Sequence, residues 1–126
     1  MISYETSPYD IRDDLAEVHG RVWDRIAKAG TWLDGATRVS IAAETRHARS
    51  CPLCARPKAA LSPFAVDGAH DSLADLPDTW IEIIHRMVAD PGRLTQSWSE
   101  KMRGGGIDDT EYVELVSIVA HTVAID

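Results

Sequence analysis

Apolar residues along this chain recur every three or four positions, in runs cut by glycine and proline. That spacing puts them on one face of a helix, whereas a half-buried strand would alternate apolar and polar residues. No segment alternates in that way between hairpin turns, so no significant sheet is expected. The predicted fold class is all-α, a bundle of five or six helices. The 126 residues suit a single domain, and no solenoid period or low-complexity tract divides them.

The first helix is expected from about Tyr9 to Lys28, with Leu15, Val18, Val22 and Ile26 as its apolar stripe and Gly30 as its stop. A second should start after Asp34, a plausible N-cap, and run to about Arg49, packing through Ala36, Val39, Ala43 and Ala48. Ser62 to Asp71 is rich in turn formers and reads as loop. Pro77 and Asp78 open a third long helix with Trp80, Ile84, Met87 and Val88 on one side, ending at Asp90-Pro91-Gly92. A shorter helix carries Leu94, Trp98 and Met102 and stops at Gly104–Gly106. Asp108 and Glu111 form a capping-box pattern for a last helix, apolar on nearly every side and therefore expected in a core or a subunit interface. Ile125-Asp126 offers no residue that closes a buried helix, so that end should pack on another group or continue in further chain.

A net charge of −7 with a pI near 5.1 excludes the basic face of a nucleic-acid binder and disfavours an anionic membrane surface. No apolar stretch approaches the ~20 residues of a membrane span. No basic stretch followed by an apolar run marks a signal peptide, so a cytoplasmic setting is the expectation. There, a close cysteine pair is more often redox-active or metal-binding than a structural disulfide.

That pair, Cys51-Pro52-Leu53-Cys54, is the centre of the chemistry. Pro52 suits the first position of a helical turn, so Cys51 should be the N-cap and Cys54 the third helical residue, near free backbone N–H groups that favour a thiolate. Pro57 must kink or restart that helix. On the preceding helix Glu44 and His47 lie three residues apart and so within ~60° on one face. They are candidates to relay protons to the thiols, with a solvated ion pair as the alternative.

The run Gly35–Ala43, leading into Cys51-Pro52-Leu53-Cys54, and the closing helix Ile107–Ala120 together resemble the alkylhydroperoxidase D / carboxymuconolactone decarboxylase superfamily. His85-Arg86 through Asp90–Leu94 is similar to a subgroup of uncharacterised peroxidase-related proteins. The resemblance spans residues 31–126, leaving 1–30 as an added N-terminal helix. It implies an alkylhydroperoxidase-type helical fold, assembly into trimers or hexamers, and reduction of hydroperoxides without a bound cofactor. It also implies that Cys54 is the peroxidatic thiol, that Cys51 resolves the sulfenic acid, and that a dithiol carrier such as a lipoyl partner re-reduces the pair. Two positions depart from the family pattern: Val39 stands where it keeps a relay glutamate, and Lys58 where it keeps a histidine. Glu44 and His47 are the expected substitutes.

The first function expected is thus a thiol peroxidase or disulfide reductase acting through Cys54 and Cys51; two others fit the same residues, a non-catalytic oligomeric or binding member of that superfamily and a zinc module in which Cys51, Cys54, His47 and His70 form a Cys2His2 site. His19 and His85 fall on amphipathic helices and should be partly exposed or at the core edge. His121 interrupts an apolar helix and is expected to be a buried histidine with a partner, with a place in the pocket beside the cysteines as the alternative. Trp23, Trp32, Trp80 and Trp98 should serve packing, and no serine sits in a hydrolase elbow.

Overall fold

In the computed structural model, which describes residues 2–56 and 66–126, six α-helices and no strands are present among the described residues. They are α1 (Asp13–Ile26), α2 (Gly35–His47), α3 (Pro52–Ala55), α4 (Asp78–Ala89), α5 (Gln96–Arg103) and α6 (Asp109–Ile125). One-turn 3₁₀ segments, Ala48–Ser50 and Pro91–Arg93, join α2 to α3 and lead out of α4. Pro57, Lys58 and the stretch Ser62–Ala65 of the expected loop lie outside the described residues.

Three helix starts follow from side chains that accept otherwise unpaired N–H groups. Asp34 accepts from the Thr37 N–H at 2.7 Å, Thr95 from the Trp98 N–H at 3.2 Å, and Asp108 from the Glu111 N–H at 2.8 Å. Glu111 returns the bond from the Asp108 N–H, completing the capping box. Gly106 holds φ at 113°, a left-handed value that glycine adopts without steric cost, and turns the chain into α6.

α2, α4 and α6 pack on one another, and α1 lies across α2 and α6. Ile41 of α2, Ile83 and Ile84 of α4, and Leu115, Ile118 and Val119 of α6 fill the centre, with Trp80 and Trp98 closing it. Each such aliphatic side chain contributes about 1.5–3 kcal/mol on burial.

A charged clamp ties α2 and α6 to the 27–34 connection. Glu114 pairs with Arg38 and accepts the N–H groups of Trp32 (2.9 Å) and Leu33 (3.3 Å), while Arg38 donates to the Ile26 carbonyl at 3.1 Å. Gly30 sits against this clamp; a Cβ there would lie 1.7 Å from a Glu114 carboxylate oxygen. Its role is close approach, since α1 already ends at Ile26 with Ala27 as its cap.

Several faces differ from the sequence expectation. α2 buries Ile41, Ala42, Glu44 and Thr45, while Val39 and Ala36 face solvent. The small, mixed residues of this helix set no clear stripe, so packing on α4 and α6 chose its face. α6 is buried on one side only; Val113 and Val123 are exposed, and His121 is exposed and bonded within its own helix to the Ser117 carbonyl. Leu15, Val18 and Trp32 are also exposed. At the chain end, Arg46 and Arg49 reach the Asp126 carboxylate at 3.0 and 3.3 Å. No helix among the described residues is long and apolar enough to cross a membrane.

Candidate functional site

The two cysteines sit as the proline between them dictates. Cys51 has extended backbone angles (φ −67°, ψ 120°) and precedes α3, Pro52 takes the first helical position, and Cys54 follows one turn later. Both thiols are free and buried. The turn α2–3₁₀–α3 lays them against α4, which brings His85 underneath, while the 66–77 segment brings His70 from above.

Three sulfur–nitrogen distances define the cluster. Cys54 Sγ lies 3.3 Å from His85 Nδ1 and 3.4 Å from His70 Nδ1; Cys51 Sγ lies 3.7 Å from His70 Nδ1. The imidazole centroids are 4.3 Å apart. The Asp71 N–H donates to Cys51 Sγ at 3.4 Å.

Each imidazole is held from behind by a carboxylate. His85 Nε2 donates to Glu44 Oε1 at 2.6 Å, and His70 Nε2 donates to Glu82 Oε2 at 2.5 Å. With Nε2 carrying the bonded proton, the neutral ring turns a lone pair at Nδ1 toward sulfur. Glu44 is fully buried, and its other oxygen accepts the N–H groups of Leu73 and Ala74 at 2.8 and 2.7 Å. Glu82 also accepts from Arg86 Nε at 3.0 Å.

These contacts set the charge states. Burial alone would raise the Cys51 thiol, but the Cys54 N–H, the His70 ring and the Asp71 N–H outweigh it and bring the thiol down to about 6. Burial likewise opposes ionisation of Cys54, and the two imidazoles overcome it to lower that thiol too. His70 is pushed up to about 10: burial works against its cationic form, while Cys54, Glu82 and Cys51 favour it more strongly. Burial would raise the Glu44 carboxyl, yet His85, Ala74 and Leu73 hold it below its ordinary value. Without a metal, then, the cluster favours an imidazolium–thiolate pair between two carboxylates.

A cleft of about 460 Å³ opens on one side of the cluster. Its wall on this side is Cys54, His70, Glu82 and His85, and Trp98, Lys101 and Met102 of α5 face them. Cys51 lies behind, outside that wall.

Of the residues singled out from sequence, Cys51, Cys54, Glu44 and His70 come together here. His47 does not share their contacts: its Nε2 lies 3.3 Å from Asp71 Oδ2, because the 3₁₀ turn after α2 carries the chain past it. His121 belongs to the outer face of α6. His85, expected partly exposed, is completely buried and takes the place foreseen for His47. Its position four residues after Ile81, in phase with the apolar side of α4, was the available signal. His70 stands beside both cysteines, as the Cys2His2 reading placed it, with His85 and not His47 as the second imidazole. Val39 is on the surface, and Glu44, further along the same helix, is its buried carboxylate.

Cys51, Cys54, His70 and His85 place one donor atom each within 4.8 Å of one another, the single such group of potential metal ligands among the described residues. No family model, no curated protein and no solved structure matches the chain.

Proposed function

We propose that the chain is a thiol-dependent peroxidase that reduces hydroperoxides with Cys54 and Cys51 and is restored by a dithiol, such as a lipoyl-type carrier. The observation that carries this reading is the chain Glu44–His85–Cys54, which runs from a buried carboxylate to a thiol on the cleft wall. A carboxylate that orients an imidazole, which in turn faces a thiol, is the arrangement that activates a nucleophile.

His85 Nδ1 accepts the Cys54 proton; the thiolate attacks the outer peroxide oxygen, the O–O bond breaks, and the imidazolium returns the proton to the leaving alkoxide. Cys54 becomes a sulfenic acid and the substrate an alcohol. The Cys51 thiolate then attacks the Cys54 sulfur, and the hydroxide leaves as water after protonation by His70. An external dithiol reduces the resulting disulfide and is itself oxidised. Lys101 and Arg86 on the cleft suit a hydroperoxide with a polar or anionic end. Trimeric or hexameric assembly belongs to the same proposal, with Val113 and Val123 among the apolar residues it would cover.

The test is peroxide consumption by metal-free, reduced protein supplied with a dithiol. Wild type should turn over, Cys54→Ser should not react, and Cys51→Ser should stop after one equivalent with a trappable sulfenic acid. Equal background rates in all three would refute the proposal.

A further inference from the structure

The four side chains that face one another across Cys51, Cys54, His70 and His85 converge on a point and do not form a line. His70 Nδ1 contacts both sulfurs, and Cys54 Sγ contacts both imidazoles, at 3.3, 3.4 and 3.7 Å. A thiolate can accept from two rings, but two sulfurs and two ring nitrogens gathered about one point, each nitrogen with its lone pair available, are also the donor set of a tetrahedral ion. With metal–sulfur bonds of about 2.3 Å and metal–nitrogen bonds of about 2.0–2.1 Å, the sulfur–nitrogen edges of the tetrahedron are about 3.6 Å. The three distances straddle that value.

The surroundings fit as well. Both distal ring nitrogens donate to carboxylates, Glu44 and Glu82, the arrangement that fixes the tautomer of metal-bound histidine and raises its basicity. Cys51 additionally receives the Asp71 N–H, as a metal thiolate with spare lone pairs would. Two thiolates and two neutral imidazoles around a divalent ion make a neutral buried unit, which avoids the cost of an isolated buried charge. Soft sulfur with imidazole in tetrahedral array selects zinc among the common divalent ions.

The geometry points to a tetrahedral zinc-binding site formed by Cys51, Cys54, His70 and His85, with Glu44 and Glu82 supporting its two histidines. Four protein ligands leave no open position, so the ion's role is to hold α3, α4 and the 66–77 segment together and to mask both thiols. The site uses the same side chains as the proposed thiol chemistry but does not depend on it.

The experiment is titration of reduced, metal-free full-length protein with Co²⁺, followed by Zn²⁺. Expected are intense tetrahedral d–d bands with a thiolate-to-cobalt charge-transfer band, saturating at one equivalent and bleached by one equivalent of Zn²⁺. His70→Ala, in a non-helical segment, should weaken Zn²⁺ at least tenfold, and Glu82→Gln by about 10–100-fold, the usual effect of losing such a support. His47→Ala should leave affinity unchanged. Weak octahedral bands without charge transfer would overturn the site, even if every variant failed to fold. So would wild-type affinity in a folded His70→Ala protein, or loss of binding in His47→Ala. Zinc binding without peroxide turnover by the metal-free form would refute the peroxidase alone; turnover without metal binding would refute the zinc site alone.

Discussion

Glu44→Gln isolates the group on which the cluster most depends. The side chain keeps its shape and loses one oxygen acceptor and the charge. Glu44 accepts three hydrogen bonds, from His85 Nε2 at 2.6 Å and from the Leu73 and Ala74 N–H groups at 2.8 and 2.7 Å, with no exposure to water. If the glutamine oxygen serves the two N–H groups, its NH2 meets His85 Nε2–H donor to donor. His85 must then move its proton to Nδ1, which removes the lone pair facing Cys54. If the amide flips, its NH2 meets two backbone donors instead. Bonds to a charged acceptor contribute about 1.5–3 kcal/mol and neutral ones about 0.5–1.5, while an unsatisfied buried donor costs about 1–3. With His85 re-protonated at Nδ1, three bonds weakened from charged to neutral come to about 3–5 kcal/mol, out of about 5–15 for a typical domain.

Urea unfolding of the metal-free variant should show that loss, and peroxide turnover or zinc affinity should fall about 10–100-fold. The pH dependence adds a second check. Because the folded carboxyl sits below its ordinary value, its contribution is present above the unfolded value near pH ~4.3 and is lost as pH falls through the folded one. The gap between wild type and variant should therefore narrow in acid. A variant within about 1 kcal/mol of wild type at neutral pH, with unaltered function, would refute the tautomer argument.

Further outcomes follow from other parts of the fold. In chelator-treated protein, alkylation of Cys51 should rise with pH around an inflection near 6, where an ordinary thiol gives ~8.5; an inflection at the ordinary value would contradict the bonds to its sulfur. Glu114→Ala should cost about 3 kcal/mol in urea unfolding, the low end for a buried pair, since it leaves a largely buried Arg38 without its counter-ion. Replacing both with leucine and methionine should recover much of that loss. Ile83→Ala, at 0% exposure, should cost about 2–5 kcal/mol without altering cysteine reactivity at neutral pH; a smaller loss would mean that the core closes over the gap.

The helical class, the caps at Asp34 and Asp108 and the seat of Cys51 ahead of Pro52 were all legible in the chain. Each rests on interactions within four residues, where spacing and side-chain type decide the outcome. Helix faces were less legible. α2 has small residues all round, so Glu44 and Ile41 turned inward only because α4 and α6 are there to receive them, and Val39 was left outside. α6 is apolar all round, so its sequence marks no side for solvent; packing chose the side of Leu115, Ile118 and Thr122.

The candidate site divides along the same line. Cys51, Cys54 and Glu44 belong to one stretch of chain, and local rules bring them near one another. His70 and His85 are 16 and 31 residues beyond Cys54, and no periodicity links a loop histidine to one on α4. His47 looked the better partner because it is close in sequence, but the 3₁₀ turn after α2 directs it to Asp71. Sequence thus settled which segments are helical and where the sulfurs begin; the packing of α3 on α4 decided which imidazoles meet them. The cost of burying His85 and Glu44 apart from a partner is what makes that meeting specific.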